Sequence, residues 1–188
     1  MKRILGILAV CWLLVSAAAS ADLGPACLGV GFGLHLQDAE LAGEPAIEPC
    51  LEGFIAWQMN RTGRLRVGLH WAPFAGPAAS ELDGDIWDTP IDATPGAGEA
   101  VHLVDVRVTA VWLSQRQGGV QPYGGGAFGV GGLLFPGNSD EWACVVAPTF
   151  GISFGKSHPR VSIETSIDIV IGEETRFGVI PVRVLIPF

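Results

Sequence analysis

His158, Ser162 and Glu164 bring an imidazole, a hydroxyl and a carboxylate into one short stretch. These are the parts of a nucleophilic hydrolase, provided the base reaches the hydroxyl and the acid orients the base. The spacing does not provide that. Ser162 and Glu164 share one face of an alternating segment, while His158 falls in the preceding turn beside Pro159. We expect no catalytic residue here. His102 is a second isolated candidate, expected to be a solvated histidine at a strand end. Between Ala72 and Ala100, Glu81, Asp83, Asp85, Asp88, Asp92 and Glu99 occur with no Lys or Arg, together with Trp87. Such oxygen ligands suit Ca²⁺, but the spacing of a defined calcium loop is missing. The expectation is a solvated acidic loop with no metal and no cofactor. Gly124 to Gly132 is no phosphate cradle, because neither a helix nor Gly-Lys-Ser/Thr follows.

The remaining charges are more orderly. Glu52, Asp105, Glu164, Asp168, Arg64, Arg66, Arg107 and Arg183 all take the less apolar parity of their alternating segments, four acids against four bases. A charge taken out of water is tolerable only when paired. If the last hairpin is symmetric about residues 173 and 174, Glu164 lies opposite Arg183. A hairpin centred on Arg61 sets Glu52 opposite His70, and Asp105 and Arg107 are neighbours on one face of one strand. Together these residues suggest an internal ion-pair network.

The elements that must position them are strands. The closing stretch RFGVIPVRVLIPF, Arg176 to Phe188, alternates to its last residue, which is the period-two signature of a strand. The same period predicts strands over Cys27–Gln37, Cys50–Met59, Arg64–Trp71, Val101–Leu113, Val120–Leu133, Trp142–Gly155 and Arg160–Ile171. That makes eight, in an all-β antiparallel up-and-down arrangement, with Asp38 to Pro49 left as a polar loop. Abundant glycine and proline (26 and 13 residues) favour turns and strands over helices.

Lys2 and Arg3, the apolar run Ile4 to Val15 and the ending Ala19-Ser20-Ala21 predict a signal peptide over residues 1–21, cleaved before Asp22, with one domain over 22–188. Removing two cations makes the exported chain more acidic than the −8 of the whole sequence, which argues against nucleic-acid binding. Cys27, Cys50 and Cys144 remain after cleavage, and a buried, unpaired role is expected for each. Mean hydropathy is +0.41, yet past the leader no apolar run is long enough for a spanning helix. A spanning barrel produces that combination, since its lipid-facing residues occupy alternate positions.

Connections after the second, fourth and sixth predicted strands are short, and those after the first, third and fifth are longer. Trp71 and Trp142 then fall outward near one rim, with Trp57, Trp112, Phe154 and Phe188 outward near the other. Tryptophan favours membrane interfaces because its ring is amphipathic. With the signal peptide, the Pro-Tyr-Gly-rich strand Pro122 to Gly132 and the terminal Phe188, the chain resembles an OmpA/OmpX-like eight-stranded outer-membrane β-barrel. The resemblance implies a bacterial outer-membrane address; a barrel alone is expected, with no periplasmic domain after Phe188, which departs from the longer members, and eight strands are expected to enclose a lumen filled by side chains, not an open pore. Its implied partners are outer-membrane lipid and lipopolysaccharide, plus the barrel-assembly machinery that reads the C-terminal strand ending at Phe188. A monomer with a structural or surface-interaction role is expected. Two alternatives stand beside it: a lipid A-modifying hydrolase in the outer leaflet, although the His-x-Ser arrangement of lipid A deacylases is missing, and a soluble lipocalin-like barrel binding an apolar ligand. The last requires apolar residues inside and charges outside.

Overall fold

The computed structural model describes residues 26–37, 46–75, 100–114, 119–134, 140–155, 160–172 and 176–188. The expected signal peptide, the acidic residues Glu81, Asp83, Asp85, Asp88 and Asp92, Trp87 and His158 lie outside them.

Among the described residues nine strand segments follow in order: β1 (Ala26–Gln37), β2 (Ala46–Gln58), β3 (Gly63–Ala75), β4 (Ala100–Leu113), β5 (Val120–Leu134), β6 (Glu141–Phe154), β7 (Val161–Ser166), β8 (Asp168–Gly172) and β9 (Arg176–Pro187). Each pairs antiparallel with its neighbour, and β9 returns to pair with β1, so the sheet closes on itself. β7 and β8 are two parts of one barrel strand, because both hold the same register against β6 and against β9. The result is a closed eight-stranded antiparallel barrel.

The interruption has a chemical cause. Ser166 and Ile167 stand level with Pro181 of β9 and Pro148 of β6. Ile167 donates its N–H to the Pro148 carbonyl at 3.1 Å, but proline has no N–H to return the bond. Period-two side-chain alternation survives the gap: Ser166 and Asp168 point in, Ile167 and Ile169 point out.

Other boundaries also differ from the sequence expectation. β2 starts at Ala46, not at Cys50, and β3 runs on to Ala75, not to Trp71. Pro49 and Pro73 face each other across the β2–β3 junction, where that ladder stops at Leu51 and Trp71. Both strands continue by pairing with their other neighbours, Pro49 with Leu34 and Pro73 with His102. The prolines mark the end of one ladder, not of the strands.

Stepping sideways from Ala26 through Trp57, Leu65, Ala110, Gly126, Pro148, Ile167 and Ile180 leads back to β1 at Leu36, ten residues beyond the start. That stagger tilts the strands, and eight tilted strands leave an interior that side chains can fill. The filling is layered. Phe74, Leu103, Leu133, Val145, Val170 and Val179 form an apolar plug near the end that carries the long connections. His35 is buried with it, its ring 4.7 Å from that of Phe74. Charged residues occupy the middle. Val111, Leu113 and Tyr123 cluster toward the end with the short turns.

The outer surface is apolar. Leu28, Val30, Phe32, Leu34 and Leu36 of β1 are all exposed, as are Ile163 of β7, Ile167 in the gap, and Ile169 and Ile171 of β8. This polarity, charged within and apolar without, is the reverse of what a soluble lipocalin-like barrel needs. The cysteine expectation is corrected in two places. Cys50 is buried and Cys27 half-buried, but Cys144 is exposed on the outer face, where an even-numbered position of β6 must point. All three thiols are unpaired.

Candidate functional site

The most organised feature is the set of charged side chains across the lumen. On the turn side, Arg66 grips Glu164 with two parallel bonds, Nη2 to Oε1 at 2.6 Å and Nη1 to Oε2 at 3.1 Å. Its Nε lies 3.0 Å from Glu52 Oε1. Arg183 reaches Glu164 Oε1 at 3.2 Å and Glu52 Oε2 at 3.7 Å, and the Tyr123 hydroxyl donates to Glu164 Oε2 at 3.1 Å. On the loop side, Arg107 chelates Asp105 through Nε and Nη2, both at 2.9 Å, and extends Nη1 to Asp168 Oδ2 at 2.5 Å. His70 Nδ1 lies 3.1 Å from Asp105 Oδ2, so the tautomer protonated there donates to that carboxylate. Ser166 joins the two halves: its Oγ accepts from Arg183 Nη2 at 2.9 Å and donates to Asp168 Oδ1 at 2.5 Å.

Of the residues expected in the lumen, Glu52, Arg66, His70, Asp105, Arg107, Glu164, Asp168 and Arg183 are thus brought together. Arg64 lies nearer the turns, half-buried, with an interaction of its own there. The four carboxylates therefore meet three guanidiniums and an imidazole. Glu52 and His70 do stand opposite in register, but His70 turns to Asp105 and Glu52 to Arg66 and Arg183. Directly opposed residues on the inside of a tight barrel lean along the strands, so diagonal partners win. Tyr123 and Ser166 were not foreseen. Their inward parity was visible, but neutral hydroxyls carry no charge to balance, and only the three-dimensional register shows whom they meet.

Glycine makes room for these long side chains. Glu52 stands opposite Gly31, Arg183 opposite Gly33, Asp105 opposite Gly131 and Glu164 opposite Gly151. Arg107 is flanked by Gly68 on one side and Gly129 on the other. Alternating large and small residues across neighbouring strands is how a narrow barrel fills its interior without strain.

Removing one cation tests the network's weaker link. Arg183→Met should lower the temperature at which the folded, faster-migrating band of the unboiled protein disappears in detergent. We expect roughly 1–2 kcal/mol, because Glu164 keeps Arg66 and Tyr123 and only part of its compensation is lost. Unchanged melting would argue against the Glu164–Arg183 partnership.

Outside, the aromatic residues form two levels. Trp71 and Trp142 are joined by the row Trp71, Val104, Gly132, Trp142 near the loop end, and the Trp71 ring stacks on His102 at 5.9 Å. Trp112 and Phe154 flank the turn end, one beside Gly63 and the other beside Val120. Trp57 sits beside Leu65 at that rim, and Phe188 donates its N–H to Leu28 O at 2.7 Å. Ser162 is buried in the lumen beside Glu164, whose carboxylate is occupied by Arg66, Arg183 and Tyr123.

No protein-family model matches the sequence, and no curated protein sequence matches it. Solved structures do resemble the fold. Neisserial surface protein A aligns with a TM-score of 0.52 at 13% identity, covering 89% of this chain and 99% of that one. The N-terminal β-barrel domain of Pseudomonas aeruginosa OprF gives 0.49 at 13% identity, with 89% and 100% covered. The attachment invasion locus protein Ail of Yersinia pestis gives 0.46 at 13% identity, with 88% and 99% covered. The chain has the fold of Neisserial surface protein A, a closed eight-stranded antiparallel barrel.

Proposed function

We propose that this protein is an integral outer-membrane barrel with a structural or surface-interaction role, its lumen closed by paired charges and not open as a pore. The observation that carries the reading is the inversion of polarity. Phe32, Leu69, Phe128 and Phe150 are about half exposed on the outer surface, while Arg107 and Glu164 are fully buried. A soluble monomer rarely leaves a continuous apolar surface of this kind in water, whereas lipid accepts it. The two aromatic levels then mark the interfaces, and the backbone is satisfied because a closed barrel has no free edge. On this reading the long connections face the exterior, in contact with lipopolysaccharide, and β9 with Phe188 is the strand presented to the assembly machinery. The acidic connection between β3 and β4 is the place to seek an external partner or divalent cations.

The test is fractionation of a Gram-negative host expressing the whole chain. The protein should sediment with outer membrane, resist alkaline extraction and migrate faster unboiled than boiled. Recovery in the soluble periplasm, with no heat-dependent migration, would remove the membrane reading.

A further inference from the structure

At the turn end the lumen holds a cavity of about 270 Å³ that the ion-pair network leaves unfilled. Phe54, Val111, Leu113 and Leu185 give it apolar walls. Going inward along β4, Leu113 comes first, then Val111, then Thr109 at the floor, level with Arg66 of β3 and Ala127 of β5.

Thr109 is the group out of balance. It is only 1% exposed, and its hydroxyl has no hydrogen-bond partner among the described residues. The other polar side chains around the cavity each have at least one. Arg66 is held by Glu52 and Glu164, with Phe54 stacked 5.5 Å from its guanidinium carbon. Tyr123 donates its hydroxyl to Glu164, and the Ser162 hydroxyl bonds to Tyr123. Gln58 donates to the Asn60 carbonyl at 2.9 Å, and Cys27 Sγ lies 3.7 Å from the Ala56 carbonyl. Arg64 has an interaction of its own, and Arg160 donates to the Gln121 side-chain oxygen. A water set against Thr109 would find one free partner there, where buried waters make about two to four hydrogen bonds. The mouth does not select an occupant by charge. It carries Arg64 and Arg160, while Phe188 with its terminal carboxylate follows Pro187 of the rim and Asp22 stands four residues before Ala26 in the sequence. A single free hydroxyl at the floor of an apolar chamber asks for a ligand with one polar atom and a hydrocarbon body.

We propose that this cavity binds a small neutral alcohol, its hydroxyl bonded to Thr109 Oγ1 and its apolar body against Phe54, Val111 and Leu185. A cavity of about 150 Å³ takes benzene, so one of about 270 Å³ takes roughly ten heavy atoms, the size of 3-phenylpropan-1-ol. The site requires a closed barrel and is independent of the membrane that holds it. Protein recovered from a soluble fraction can be titrated in the same way, so failure of the membrane reading and failure of this one are separable.

The experiment is a titration of the refolded barrel in lipid nanodiscs, followed by methyl NMR. The probes are 3-phenylpropan-1-ol and butylbenzene, which replaces the hydroxyl by a methyl group. The alcohol should shift the Val111 and Leu185 methyl signals saturably and leave those of Val170 and Val179, in the plug at the other end, in place. Thr109→Val keeps the shape and deletes the hydroxyl. It should weaken the alcohol about fivefold and leave butylbenzene unweakened. Parent and variant sit in the same lipid, so partition into the bilayer cancels in that ratio. Ala56→Phe, on the cavity wall, should abolish both by filling the space. Heat-dependent migration certifies that each variant is folded, and Thr109→Val decides the matter should Ala56→Phe fail that check. Alcohol binding indifferent to Thr109→Val, equal shifts at the Val170 and Val179 methyls, or no saturation up to about 10 mM would each overturn the proposal.

Discussion

Arg107→Met should cost the barrel more than any other single charge removal in the lumen. Arg107 is 0% exposed, and its guanidinium serves two carboxylates at once, Asp105 through two bonds and Asp168 through a third. Methionine fills much of the volume but leaves both acids inside the barrel with only His70 and Ser166 beside them. Breaking a buried pair from one side typically costs about 3–5 kcal/mol, because the abandoned charge keeps its desolvation penalty. The measurement is urea unfolding in lipid vesicles, followed by tryptophan fluorescence, with the loss appearing as a lower midpoint at unchanged slope. A second variant separates charge from packing. Arg107→Met combined with Asp105→Asn and Asp168→Asn removes the orphaned charges and should recover at least half of the loss. If the single variant unfolds like the parent, the network does not hold the barrel. If the triple variant is no better than the single one, shape and not charge explains the damage.

The contrast with Arg183 follows from how the network is shared. Glu164 has three donors in Arg66, Arg183 and Tyr123, so the loss of one leaves it compensated. Asp105 and Asp168 depend jointly on one guanidinium. Arg183 reaches Asp168 through Ser166 and makes no direct ion pair with it, so the loss of Arg107 is made good only in small part from the Arg183 side.

The barrel was legible in the sequence because period-two alternation is a local property that an apolar exterior and a charged interior both reinforce. Hairpin symmetry even placed Glu164 opposite Arg183 and Glu52 opposite His70. Register, however, fixes Cα neighbours and not side-chain partners. Arg66 finds Glu164 across the lumen, from β3 to β7, and no count along a hairpin brings those strands together. Parity also says nothing about depth: Arg64 lies one step closer to the mouth than Arg66 on the same face of β3. The prolines misled in the opposite sense. Pro49 looked like loop, because its missing N–H is a loss only on the side where a ladder would use it, and that side is set by the sheet.

A second large effect is expected where backbone, not charge, fills the space. Gly131→Ala on β5 would place a methyl carbon 2.0 Å from the Val104 carbonyl oxygen and 2.5 Å from Asp105 Cα, both on β4. These are main-chain atoms of a paired strand, so no rotamer change relieves the contact and β4 and β5 must move apart. The displaced residue is Asp105, whose position sets the Arg107 chelate, so a steric fault would also loosen the ion pairs. We expect a loss of about 2–3 kcal/mol or more. Gly126→Ala, on the outward face of the same strand, is the control: the nearest atom to its new methyl is the Ala147 carbonyl oxygen at 3.8 Å, ordinary van der Waals contact. It should be neutral or slightly stabilising, since alanine restricts the unfolded chain at a position whose backbone tolerates it. The two substitutions change the same atoms on one strand and differ only in which face receives them. Equal stability in the unfolding assay would mean that β4 and β5 have enough slack to absorb a methyl group, and that the close approach is not what seats Asp105 against Arg107.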